Sequence, residues 1–127
     1  MYLDTDVILA LIKEEDWLKE LINFKKIKNP QTSTLTLIEV RLVLTREISR
    51  KDALDSLSKI KNLGVKIIPL DIKIVEESNN LMKKYDSLGI FDSIHAACTI
   101  LKNEVIISTD TVYKEISELS SQDPRSL

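Results

Sequence analysis

The segment Val105-Ile106-Ile107-Ser108-Thr109-Asp110 decides the architecture of this chain. Three successive β-branched apolar residues, with no polar residue between them, predict a strand buried on both faces, and such strands belong to parallel sheets covered by helices. Behind it, Ile90 to Leu101 has helical spacing and a run of small residues at Ala96-Ala97-Cys98. Ahead of it, Thr111 to Leu119 predicts a final helix. The tail from Ser120 to Leu127 is polar and gives only weak support to a further strand.

The same alternation extends to the start of the chain. Tyr2-Leu3 is a short apolar run ending in Asp4-Thr5-Asp6, followed by Val7, Ile8, Leu11 and Ile12 at helical spacing. Trp17, Leu18, Leu21, Ile22 and Phe24 predict a second amphipathic stretch, with Trp17 and Phe24 in the core, broken at Asn29-Pro30. Thr32-Ser33-Thr34 reads as a short strand before a helix carrying Leu35, Leu37, Ile38, Leu42, Val43 and Leu44. Ser49 is placed to cap a helix whose apolar face holds Ala53, Leu54, Leu57 and Ile60, and Gly64 marks its stop. Val65-Lys66-Ile67-Ile68 is a clear strand, and Asp71 can cap the helix carrying Ile74, Val75, Ser78, Leu81 and Met82. Strands separated by helical connections predict one α/β domain over residues 1–127, built on a parallel sheet of four or five strands.

Composition narrows the functional classes. The chain has 127 residues, 43% hydrophobic and 30% charged, which is the composition of a globular protein and not of a disordered one. One cysteine excludes an intramolecular disulfide framework and fits a reducing compartment. No apolar run reaches the ~18 residues of a membrane span, and no basic segment precedes Tyr2-Leu3 as in a secretory leader, so a cytoplasmic location and no membrane partner are expected. Acids outnumber Lys and Arg by 20 to 18, giving a net charge of −2. Coating nucleic acid by bulk charge is therefore excluded, and the placement of the acids becomes the question.

In open parallel sheets, ligands bind beyond the carboxyl ends of the strands. Asp4 and Asp110 each end a predicted strand. Glu39 lies early in the helix leaving that edge, and Asp92 opens the helix that leads into the Val105 strand. If the first and fourth strands are neighbours, all four acids face one crevice. Two carboxylates ~5 Å apart repel by roughly 3 kcal/mol at an effective dielectric of ~20. Four must share protons or hold a cation, and oxygen-only ligands suit Mg²⁺ or Mn²⁺ better than Zn²⁺. Each acid also has a structural role open to it: Asp4, Asp6, Asp92 and Asp110 can all cap helices. Glu39 is harder to explain that way, since it sits within the apolar run Leu35–Val40.

His95 follows Asp92 by three residues and shares its helix face. Without a second histidine to complete a zinc site, it is expected as a buried support for the acids. Ser33, Ser108 and Thr109 stand at strand ends where they can orient ligands or phosphate, and Cys98 is expected to pack. Arg41, Arg46, Arg50 and Lys51 form a basic stretch suited to a phosphate backbone, or simply a solvated helix face.

These motifs resemble those of PIN-domain ribonucleases, most closely the VapC-like toxins of toxin–antitoxin pairs. The resemblance is carried by Tyr2-Leu3-Asp4-Thr5-Asp6-Val7-Ile8-Leu9, by Thr32 to Val40, by Ile68-Pro69-Leu70-Asp71, by Phe91-Asp92-Ser93-Ile94-His95-Ala96-Ala97 and by Ile107-Ser108-Thr109-Asp110. It implies a three-layer α/β/α sandwich with strand order 3-2-1-4-5. It also implies metal ligation by the catalytic acids Asp4, Glu39, Asp92 and Asp110, with Mg²⁺ or Mn²⁺. RNA would be the substrate, a homodimer the assembly and a cognate antitoxin the silencing partner. Thr5, Asp6, Ser33, His95, Ser108 and Thr109 would support the site. Asp6 departs from the family's usual Asn or Ser, and Val112 stands where a further acid is common. Two other classes share parts of this pattern: a Mg²⁺-binding phosphoacceptor signalling domain, with Asp71 imitating the acceptor, and a catalytically silent PIN-like RNA-binding module.

Overall fold

A computed structural model describes all residues, 1–127. Five parallel strands form one sheet: β1 (Tyr2–Leu3), β2 (Gln31–Ser33), β3 (Lys66–Ile68), β4 (Val105–Ile107) and β5 (Ser120–Gln122). Their order is β3-β2-β1-β4-β5, so the first strand is central and the fourth lies beside it. The helices are α1 (Thr5–Ile12), α2 (Thr34–Glu47), α3 (Arg50–Asn62), α4 (Ile72–Lys84) and α5 (Ile90–Leu101). None is long and apolar enough to cross a membrane.

Side-chain alternation along the strands divides the core in two. Tyr2 is paired with Ile106, and these two join Ile68 in a cluster with Ala96, Ala97 and Leu81 of α5 and α4. Leu3 is paired with Ile107, and these pack instead with Val7, Ile8, Val40, Leu44 and Ile60 of α1, α2 and α3. A strand that buries one residue to each side needs helices on both faces, which is the three-layer sandwich. Ser49 and Asp71 cap α3 and α4 as their positions predict, accepting from the amides of Asp52 and Ile74 at 3.0 Å each. Asp71→Ala should cost about 1 kcal/mol, read as a lower urea midpoint with an unchanged slope.

Four expectations need correction. The Trp17–Phe24 stretch forms no helix beyond two short 3₁₀ turns, Lys19–Leu21 and Phe24–Lys26. Asp16 takes the amide of Leu18 at 2.9 Å and so competes with helical bonding at its start. Leu18 alone of the five predicted apolar residues is fully buried, while Trp17 is 66% exposed with the Arg125 guanidinium over its ring. In α3 the buried face is Ala53, Ser56 and Ile60, and Leu54 and Leu57 point outward. Ser56 fits that face because its hydroxyl donates to Ala53 O at 2.6 Å. The final helix shrinks to a 3₁₀ segment, Thr111–Glu115, anchored by buried Tyr113. Its early end leaves chain for β5, which forms from polar residues because strand pairing needs their backbone alone: it pairs with β4 from Val105↔Ser120 to Ile107↔Gln122.

Candidate metal centre

The adjacency of β1 and β4 brings Asp4 and Ser108 to one point at the carboxyl edge. Asp4 is buried, accepting from the Thr5 amide at 2.8 Å and from the Ser108 hydroxyl at 2.7 Å. Burial, with the Asp6 charge adding to it, pushes its carboxyl up to about 6, against the pull of His95 and Ser108. Ser108 also accepts from the Asp110 amide at 3.0 Å, so one hydroxyl ties the two strand ends together. Asp110 is exposed, and one of its oxygens caps the following 3₁₀ segment through the Val112 amide at 2.9 Å.

Asp92 stands in the first turn of α5 but does not cap it; Gly89 occupies that position. Its one protein hydrogen bond is a long one, 3.4 Å from the Tyr113 hydroxyl. Partial burial raises its pKa, and the charges of Asp110 and Glu39 add to the rise. Glu39 projects from α2 and accepts from the Thr5 hydroxyl at 3.0 Å and from His95 Nε2. His95 is 1% exposed. Burial alone would lower its pKa, but the Glu39 hydrogen bond and the charges of Asp4, Glu39 and Asp92 outweigh it and the net shift is upward.

Asp6 has both carboxylate oxygens taken by protein donors. One accepts from the Val7 amide at 2.8 Å, and the other accepts from the amide and hydroxyl of Thr109 at 2.9 and 2.5 Å. It clasps the loop before Asp110 to the start of α1. Ser33 lies beneath the acids, bonded to Tyr2. Sequence patterns missed Tyr2, whose hydroxyl reaches His95 Nδ1 at 2.6 Å. Only the pairing of Tyr2 with Gln31, which brings Ser33 to the same face of the sheet, could have pointed to it.

No lysine or arginine pairs with Asp4, Glu39, Asp92 or Asp110; the only cation-forming partner among them is His95. No three acid, histidine or cysteine side chains stand close enough to close a coordination shell by themselves. An open, oxygen-only set fits Mg²⁺ or Mn²⁺, which take one or two carboxylates and keep several waters. A cleft lined by Glu39, Gly89, Ile90, Phe91 and Asp92 opens from the acids. Phe91 also lines a groove of about 740 Å³ between α2 and α3, walled by Arg41, Arg46, Arg50, Ile38 and Leu42. Lys51 is not in that groove; it turns to the other side of α3 and pairs with Asp55 at 2.8 Å.

A family model, PIN domain, matches residues 1–119, and the chain belongs to that family. Three solved structures share the fold. VapBC2 from Rickettsia felis, bound to a promoter DNA fragment, is 17% identical, with 96% of each chain covered and a TM-score of 0.74. A toxin–antitoxin complex from Klebsiella pneumoniae is 21% identical over 97% of this chain and 96% of that one, at 0.71. VapC20 of Mycobacterium tuberculosis, a sarcin–ricin loop cleaving toxin, is 17% identical over 90% of this chain and 92% of that one, at 0.77. A search of curated proteins finds no match.

Proposed function

We propose that the protein is a divalent-metal-dependent endoribonuclease and the toxin of a toxin–antitoxin pair. One observation carries the nuclease reading: four acids from four elements stand at the carboxyl edge where β1 and β4 meet, with no lysine or arginine to neutralise them. Membership of the PIN family supports it, and the toxin–antitoxin neighbours support the partner.

Asp4, Glu39, Asp92 and Asp110 would hold Mg²⁺ or Mn²⁺. The bound ion supplies a Lewis acid at the scissile phosphate and makes water a competent nucleophile near neutral pH. Asp6 and Ser108 hold the loops that present Asp4 and Asp110. Arg41, Arg46 and Arg50 line the groove that leads to Phe91 and Asp92, where an RNA backbone can lie with its phosphates against the guanidiniums. Lys51, on the far side of α3, has no part in that contact.

Purified protein should cleave RNA with Mg²⁺ or Mn²⁺ and lose cleavage in EDTA. Cleavage that survives complete chelation would overturn metal dependence. Arg46→Glu with Arg50→Glu should weaken RNA binding at least tenfold. It should also lower the slope of log affinity against log salt by about 1.4, at ~0.7 per phosphate contact on a single strand. An unchanged slope would remove the groove from the RNA path. Antitoxin pairing is checked by co-expression with the neighbouring gene product, and homodimer formation by light scattering.

A further inference from the structure

The chain's single histidine lies beneath the acids with a partner on each ring nitrogen. On the acid side, Nε2 faces Glu39 Oε1, with Asp4 Oδ1 at 3.6 Å and Thr5 Oγ1 at 3.3 Å. The Thr5 hydroxyl already gives its proton to Glu39 at 3.0 Å. Everything around Nε2 is therefore an acceptor, and Nε2 is the donor.

On the core side, Nδ1 lies 2.6 Å from the Tyr2 hydroxyl oxygen. That hydroxyl donates to Ser33 Oγ at 2.8 Å. Its proton is thus directed away from the imidazole, and a lone pair remains to accept from Nδ1–H. Tyr2 is 0% exposed, so no water competes for its hydroxyl. The two rings sit 5.7 Å apart and tilted by 58°, which brings the hydroxyl and the nitrogen together at their edges.

We propose that Tyr2 is a positioning residue for the metal centre: by accepting from His95 Nδ1, with its own proton held by Ser33, it fixes the imidazole so that Nε2–H holds Glu39 toward Asp4. The proposal rests on Glu39 and Asp4 being metal ligands. Glu39 comes from α2 and Asp4 from the end of β1, and the His95 ring contacts both. A ring free to turn, or one presenting a lone pair to Glu39, would leave that carboxylate with the Thr5 hydroxyl as its one remaining donor. Groups that orient metal ligands typically account for 10- to 100-fold in metal affinity.

Two substitutions separate orientation from packing. Tyr2→Phe keeps the ring and removes the acceptor. Ser33→Ala keeps the Tyr2 hydroxyl but frees its proton to turn toward Nδ1, and it serves alone should Tyr2→Phe fail to fold. The lone histidine gives one pair of ring nitrogen resonances in ¹⁵N-histidine-labelled, metal-free protein. Ser33→Ala should move the Nδ1 resonance toward that of an unprotonated nitrogen, and Tyr2→Phe should shift or broaden it. Calorimetric titration with Mn²⁺ in the absence of RNA should show at least tenfold weaker binding in Tyr2→Phe, and a smaller loss in Ser33→Ala, where the Tyr2 hydroxyl still holds the ring through Nδ1. Wild-type resonances and Mn²⁺ affinity in both folded variants would overturn the positioning role alone, while loss of cleavage on replacing Asp4 or Asp92 by Asn would still support the ligand assignment. Absence of Mn²⁺ binding by the wild type would overturn it together with the ligand assignment.

Discussion

Asp92→Asn should lower RNA cleavage about a thousand-fold, equivalent to ~4 kcal/mol of transition-state stabilisation, without unfolding the protein. Asn is isosteric, and the one protein hydrogen bond at stake is the 3.4 Å contact with Tyr113. The ionised carboxylate is opposed by burial and by Asp110 and Glu39. Removing that charge should therefore leave the melting temperature unchanged or raise it. A rise in stability with a loss of activity is the signature of charges gathered against their mutual repulsion for a function. Asp4→Asn should lose activity similarly, but its amide nitrogen must face either the Ser108 hydroxyl or the Thr5 amide, so some stability should go with it. Full activity in both variants would remove the acids from the reaction.

Leu3→Ala should cost about 3 kcal/mol, within the usual range for deleting a buried leucine, and lower the melting temperature by roughly 10 °C. Leu3 is 0% exposed on the central strand, where it packs with Val7, Ile8, Val40 and Ile107. Neighbouring elements cannot easily collapse into the gap, because the strand is held on both sides by β2 and β4. Leu42→Ala, at a residue 53% exposed, should stay within about 0.5 kcal/mol. Thermal unfolding followed by circular dichroism separates the two. Equal losses would mean that the open α2–α3 groove contributes as much to stability as the sheet.

The parts legible in the sequence are those set by local pattern. Val105–Ile107 can only be a doubly buried strand, and Asp71 and Ser49 cap because their side chains reach amides three residues ahead. Burial that depends on a neighbour is less legible. Leu54 and Leu57 look like a core face, yet the turn of α3 buries Ser56. Lys51 follows Arg50 directly, but the ~100° step of a helix sends it to the opposite wall. β5 has no hydrophobic signature because it pairs through its backbone at the sheet edge. The Tyr2–His95–Glu39 connection joins three elements, and no spacing along the chain encodes it.

The bond between Asp4 and Ser108 spans 104 residues. The carboxylate at the middle of the sheet is thus made 104 residues before the serine that closes on it from the end of the neighbouring strand. During translation β1 must wait for β4, so an incomplete chain carries most of the acids but not their meeting point. The acids meet only once β4 has docked beside β1, so the sheet and the site close in the same step.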